Sequence, residues 1–355
     1  MGEGRRLSVE GRRDAEVRTG AEPVVPCAGA GYAPAASGVL TRAGCALALD
    51  APDLLIFDID GVLLDTAQSY PAAVEAAVRW FCRERLGRAV TDDPAPAPDL
   101  AAWKAAGGFN DDWQLAQGIC LYLTWHHLRG DWPPDAGAEA ALCAAIPLRG
   151  GGLTAVRALC PGADACGAWD AEAIARVCME RYGGDDACEA MFGMRPTEGV
   201  GPGLWHHERA LVPASALEAW RGHLGVYTGR NSAEASLGLR AAGLDALFPL
   251  QMRQTSDAGL RKPDPAGLIA LAERGAPRLL LFAGDTPDDA ATVHRYRAVA
   301  ARMGGMPPAI FAGVLGGAPG VLGEDLFRSA SAEIIATDAH ALLRYLRPPA
   351  MTAGR

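Results

Sequence analysis

The chain has 355 residues, half of them hydrophobic and 21% charged, with a formal net charge of −9. That is ample material for a globular core and, at roughly 150 residues per domain, about two domains. The acidic balance argues against nucleic acid or an anionic membrane surface as partner, and no window approaches the ~18 uninterrupted apolar residues of a membrane span.

The chain opens with "MGEGRRLSVEGRRDAEVRTG", which has arginines but no apolar stretch and so does not read as a secretory signal. Residues 1–50 are Ala/Gly-rich with little periodicity. They read as an N-terminal extension, partly disordered, with poor order over roughly the first 20. Nine cysteines fall between Cys27 and Cys188 with no C-x-x-C pair. They read as reduced, small core residues of a cytoplasmic protein, since neither a disulfide framework nor a zinc pattern matches their spacing.

From Leu54 the character changes. Short apolar runs recur, each followed by turn residues and then a helical pattern: "LLIFD" at 54–58, "LGVYT" at 224–228, "LLLFAGD" at 279–285, "AIFAGV" at 309–314 and "EIIAT" at 333–337. Continuous apolar strands alternating with helices such as 232–243 predict a parallel sheet covered on both faces. The fold class is therefore an open, Rossmann-like α/β core, whose ligands sit beyond the carboxyl ends of the strands. The stretch between the first two runs is far too long for an ordinary crossover. It reads as helices over 69–87, 111–128 and 170–184, separated by Pro/Gly/Ala-rich connectors at 91–99 and 130–168. The expected organisation is a core over 51–66 and 213–350, with an all-helical domain over 67–212 inserted into it. Asp65 and Thr66 read as caps that start the first inserted helix.

Four segments converge on one sheet edge in this arrangement. They are Asp58-Ile59-Asp60-Gly61, Thr228-Gly229-Arg230, the "RKPDP" loop with Lys262, and Gly284-Asp285-Thr286-Pro287-Asp288-Asp289. Burying two like charges beside each other is expensive unless a cation or a reaction uses them. Carboxylates from separate loops, Asp58 and Asp285, make the hard oxygen shell that Mg²⁺ prefers. Asp58, at the strand tip, is the natural nucleophile for an aspartyl-phosphate, and Asp60 the acid/base past a sharp turn. Thr228 and Gly229 suit phosphate oxygens, and Lys262 supplies positive charge to the nucleophile and the transferring phosphoryl group.

These motifs, "FDIDGVLLDT", "VYTGR", "KPDP" and "GDTPDD", resemble in order and spacing those of the haloacid dehalogenase superfamily of phosphohydrolases. The resemblance implies Asp58 as nucleophile, Asp60 as acid/base, Thr228 and Lys262 as the phosphate-binding pair, and Asp285 as metal ligand. It places Asp289 at the second acidic position of the last motif, with its neighbour Asp288 as the alternative. Asp58, Asp60, Asp285 and Asp289 are the candidate metal ligands, and Thr228, Gly229, Arg230, Lys262 and Asn110 the candidate substrate or phosphate contacts. The inserted helices match the cap of the phosphoglycolate phosphatase-like branch. "GGFNDDW", "RYGG" and "GLWHHERALV" look like a subgroup of it with a weak link to histidine-pathway phosphate esters. Halide-removing relatives lack the second aspartate and the metal site, so dehalogenation is disfavoured. The implied activity is a Mg²⁺-dependent phosphatase acting on a small phosphorylated metabolite, as monomer or homodimer. A phosphomutase, or a catalytically silent binding protein on the same fold, is the alternative.

Other polar residues read more plainly. His126-His127 and His206-His207 are adjacent pairs whose side chains diverge, so neither is a chelating unit. Trp80, Trp103, Trp113 and Trp125 read as core of the inserted domain. The segment Asn110–Trp113 is either a substrate-selecting loop or a helix N-cap with first-turn acids. Lys104 and Arg195 are candidates for the remote end of the substrate.

Overall fold

A computed structural model of the chain describes residues 31–43, 52–88, 97–109, 111–316 and 323–349. Its strands, in chain order, are β1 (Tyr32–Ala36), β2 (Val39–Arg42), β3 (Leu54–Phe57), β4 (Leu64–Asp65), β5 (Arg209–Ala210), β6 (Leu224–Tyr227), β7 (Arg253–Gln254), β8 (Leu280–Gly284), β9 (Ala309–Val314) and β10 (Ile334–Ala336). Eight of them form one sheet in the order β1-β2-β10-β9-β8-β3-β6-β7, parallel from β10 through β7. All five apolar runs of the sequence form strands, and β3, β6, β8, β9 and β10 are buried at every position. This is a mixed α/β fold with a mostly parallel sheet.

Residues 32–42 correct the sequence reading. Expected to lie in an extension outside the core, they add an antiparallel pair to the edge of β10, with Val39 buried in the core. Their alternation is only four residues long, too short to register as a strand pattern. Glu333 fastens them: its carboxylate accepts from Arg42 Nη2 at 2.5 Å, Arg297 Nη2 at 2.6 Å and the Phe311 N–H at 3.0 Å. The expectation for the first 20 residues lies outside the described residues.

Between β4 and β5 the described residues form six α-helices: α1 (Tyr70–Glu84), α2 (Leu100–Ala105), α3 (Asp112–Arg129), α4 (Ala136–Ala145), α5 (Gly152–Leu159) and α6 (Ala171–Phe192). They share a hydrophobic cluster of their own, with Trp103, Phe81, Ile119 and Val156 at its centre. Trp80, Trp113 and Trp125 pack against that cluster, so these tryptophans are core, as expected. The seven described cysteines are free, six of them buried. His126 is buried while His206 and His207 are exposed, and neither pair converges.

Two local expectations change. The 130–168 connector contains α4 and α5, because "AGAEAALCAA" is rich in the strongest helix former and is capped by Asp135. The helix expected to end at Gly184 breaks there (φ 64°, ψ −171°) but resumes to Phe192. Entry and exit of the insertion are tied by the β4–β5 ribbon, which pairs Leu64 with Ala210 and Asp65 with Arg209. Asp65 therefore belongs to that ribbon, and the cap position of α1 falls at Ser69.

After the insertion come α7 (Ala214–Glu218), α8 (Ser232–Ala241), α9 (Ala266–Gly275), α10 (Pro287–Met303), α11 (Glu324–Ser329) and α12 (Ala339–Tyr345). Alternation along β3 sends Leu55 and Phe57 to a core shared with α7, α8 and α12, and Leu54 and Ile56 to one shared with α9, α10 and α11. Among the described residues no helix is long and apolar enough to cross a membrane.

The Glu333 clasp is testable. Glu333→Ala leaves two arginines facing a buried void and is expected to cost about 3 kcal/mol in chemical denaturation. A change within about 0.5 kcal/mol would mean the edge strands are held by packing alone.

Candidate functional site

The strands β3, β6 and β8 run parallel with β3 central, so their carboxyl ends open on one edge. Asp58 follows β3, Thr228 follows β6 and Asp285 follows β8. Lys262 arrives on the loop before α9, and Asp289 on the first turn of α10. The segments that the sequence predicts to converge do converge.

Lys262 is the centre of the arrangement. Its Nζ lies 2.7 Å from Asp58 Oδ2 and 2.7 Å from Asp289 Oδ1, with its side chain only 5% exposed. Burial works against the ammonium, but Asp289 and Asp58 outweigh it and hold the lysine protonated. Asp289 is fully buried and its other oxygen is engaged too: Oδ2 accepts from the Thr286 N–H at 3.0 Å and hydroxyl at 2.7 Å. Asp289 thus fixes Lys262 and the start of α10 together. Among the described residues it is Asp289, and not its neighbour Asp288, that gathers with Asp58 and Asp285.

Asp58, Asp285 and Asp289 bring carboxylate oxygens within 4.8 Å of one another. Asp58 Oδ1 accepts its neighbour Ile59 N–H at 2.8 Å. Gly61 makes the close approach of Asp285 feasible: its φ is +70°, and a Cβ there would lie 2.0 Å from Asp285 Oδ2. Burial, opposed by Lys262 and reinforced by Asp289 and Asp60, pushes the Asp58 carboxyl up to about 7. Burial and then the charges of Asp58 and Asp289 push Asp285 well above the carboxylate range. Three carboxylates beside one ammonium leave the pocket short of positive charge. A hard divalent cation fits that donor set, and Asp285 and Asp58 are the residues best placed to hold one.

Two candidates are corrected. The Asp60 carboxylate is not part of the acidic cluster; its Oδ1 accepts from Arg230 Nε at 2.9 Å and Nη2 at 2.6 Å. Arg230, expected to contact phosphate, is 2% exposed and committed to Asp60 and to Glu208, whose Oε1 is 2.9 Å from Nη2. A buried guanidinium needs carboxylates on every side, and here the protein supplies them. Thr228 is buried, with its Oγ1 accepting the Arg230 N–H at 3.2 Å, while Gly229 is exposed beside it. Asn110 lies outside the described residues.

The insertion overhangs this edge. Lys104 Nζ pairs with Asp112 Oδ1 at 2.9 Å, and the charges of Asp60 and Asp285 act on the same ammonium. Asp111 caps α3, accepting from the Trp113 and Gln114 N–H groups, so the cap reading of this segment holds for it. Arg261, beside Lys262, reaches across to Asp111 at 3.3 Å. Arg195 pairs with Glu189 on the exposed surface instead.

Sequence reasoning missed a buried polar junction behind the site. Tyr70 stacks on Tyr182 with ring centroids 4.2 Å apart, and the Arg230 guanidinium lies 5.2 Å from the centre of the Tyr70 ring. The Tyr182 hydroxyl donates to Glu208 Oε1 at 2.8 Å, and the Tyr70 hydroxyl to Glu234 Oε1 at 3.2 Å. Burial pushes Glu234 up to about 7. The only sequence signal was a glutamate set against the apolar "RALV" run.

No protein-family model and no curated protein matches the chain. Among solved structures, an X-ray structure determined as a Northeast Structural Genomics Consortium target is similar, with a TM-score of 0.52 and 16% identity. The likeness covers 81% of this chain and 97% of that one, and at this identity it speaks to the α/β fold alone.

The raised Asp58 sets a pH dependence. Unfolded, the carboxyl loses its proton near 3.8; folded, near 7, so over that window the native state binds more protons than the unfolded one. Stability of the protein stripped of divalent cations is therefore expected to fall as pH rises from about 4 to about 7. Adding Mg²⁺ should restore it at the upper end, and Asp285→Asn should abolish that rescue. Thermal melts across this range check it; a melting temperature indifferent to pH and Mg²⁺ would rule out a cation-binding carboxylate cluster.

Proposed function

We propose that the protein is a Mg²⁺-dependent phosphatase of the haloacid dehalogenase type, acting on a small phosphorylated metabolite through an aspartyl-phosphate on Asp58. The observation that carries this reading is the single ammonium of Lys262 held between Asp58 and Asp289, with Asp285 beside them. A merely structural ion pair needs two partners. Here a third, half-buried carboxylate, that of Asp285, is packed against the pair.

In this reading Asp58 and Asp285 would hold a divalent cation, which would supply positive charge to offset that of the phosphoryl group as the anionic Asp58 approaches. Asp58 attacks phosphorus, and the ester oxygen leaves as the P–O bond breaks. Lys262 keeps Asp58 oriented and supplies positive charge to the transferring group. Asp60 delivers a proton to the leaving oxygen and later takes one from the water that hydrolyses the aspartyl-phosphate. Thr228 and the exposed backbone at Gly229 flank the phosphate. The inserted helices act as a cap, excluding bulk water, with Lys104 facing the remote end of the substrate.

Phosphate release from a panel of phosphoglycolate, sugar phosphates and histidinol phosphate tests the proposal. Release is expected to require Mg²⁺, to vanish in Asp58→Asn, and to drop about 100- to 1,000-fold in Lys262→Ala. Undiminished turnover by Asp58→Asn would refute covalent catalysis at this residue.

A further inference from the structure

We propose that Arg230 is a two-position counter-ion, and that Glu208 is the positioning residue that lets Asp60 part from it. The inference rests on the phosphatase reading, in which Asp60 has to reach the leaving oxygen.

One buried guanidinium serves two carboxylates unequally. Arg230 gives Nε and Nη2 to Asp60, and Nη2 alone to Glu208. Its Nη1 has only a long contact, 3.5 Å, to the Glu234 carbonyl among the described residues. Glu208 Oε1 is crowded, accepting from Ser69 Oγ at 3.0 Å and Tyr182 at 2.8 Å as well. Glu208 Oε2 is the opposite: buried, with no hydrogen-bond partner among the described residues. A buried carboxylate oxygen left unpaired calls for an explanation.

Gly238 on α8 supplies one. A Cβ at that position would lie 2.6 Å from Arg230 Nη1 and 3.3 Å from Glu208 Oε2. The under-used donor and the unpaired acceptor therefore border the same gap, which glycine leaves open. A small rotation of the guanidinium brings Nη1 onto Oε2 while Nη2 stays on Oε1, a bidentate pair with Glu208 alone. Asp60 is then free. It is also the mobile partner of the two, with a side chain 33% exposed against 3% for Glu208. Without Glu208, departure of Asp60 would leave Arg230 buried and unpaired, so Asp60 would stay where it is. Ser69, at the start of α1, and Tyr182, on α6, both hold Glu208, so the position of the insertion sets how strongly it competes for Arg230.

The test compares first-turnover cleavage, with Mg²⁺, of p-nitrophenyl phosphate and of the alkyl ester that the wild type cleaves best. The aryl leaving group needs no proton, so only the alkyl ester depends on Asp60 being released. Glu208→Gln is expected to lower alkyl cleavage roughly 100-fold while aryl cleavage stays within about threefold. Tyr182→Phe removes one donor from Oε1 and turns the Glu208 charge toward Arg230, so the alkyl-to-aryl ratio should hold or rise. Thermal melts of both variants report folding. Equal loss on both esters in Glu208→Gln, or a fallen ratio in Tyr182→Phe, would overturn the switch. Cleavage of neither ester by the wild type would refute the phosphatase reading itself, and the switch with it.

Discussion

Lys262 places one ammonium 2.7 Å from each of two carboxylates that are almost wholly removed from water. Neither aspartate would be tolerable there alone, because an unpaired buried charge costs several kcal/mol. The three groups therefore come as a set, and the set fixes geometry well beyond itself. Asp58 is the tip of the central strand, Asp289 the first turn of α10, and Lys262 the loop entering α9. One ion cluster thus pins three chain segments to a common point on the sheet edge. Buried ion pairs are weak devices for stability, since well-packed apolar residues of the same volume do as well or better. In the proposed reaction they would have a chemical use, with Asp289 positioning Lys262 and Lys262 positioning Asp58.

A second cluster, centred on Arg230, plays the matching part at the junction with the inserted helices. The β4–β5 ribbon, the Tyr70–Tyr182 stack and the Glu208 carboxylate bring both ends of the insertion within reach of one guanidinium. That guanidinium also holds Asp60, two residues from the proposed nucleophile. The insertion is thus linked to Asp60 through two or three hydrogen bonds. In the proposed reaction the two clusters would divide the labour: Lys262 would set where the phosphoryl group goes, and Arg230 when Asp60 can serve it.

The sheet and the first cluster were legible in the sequence, for specific physical reasons. Strands buried on both faces need unbroken apolar runs, and these stood out against Gly/Pro-rich surroundings. Asp58, Thr228, Lys262 and Asp285 each sit at a strand end or its following loop, so their neighbours in sequence report their place in the fold. The second cluster had no such signature. Ser69, Tyr182, Glu208 and Arg230 come from four separate segments, and an ordinary tyrosine or glutamate in a helical stretch does not reveal that it is buried. The role of Arg230 was misjudged for the same reason, because a cation beside a phosphate motif looks available until its carboxylates are seen. Strands β1 and β2 escaped notice because two short, small-residue strands at a sheet edge carry too little pattern.

The most direct measurement is of the covalent intermediate. The protein would be mixed with p-nitrophenyl phosphate and Mg²⁺, quenched with borohydride, which reduces an acyl phosphate to an alcohol, and its peptides analysed by mass spectrometry. The account predicts homoserine at position 58 and unmodified aspartate at 60, 285 and 289. Turnover without any modification at Asp58, or modification at another carboxylate, would contradict it.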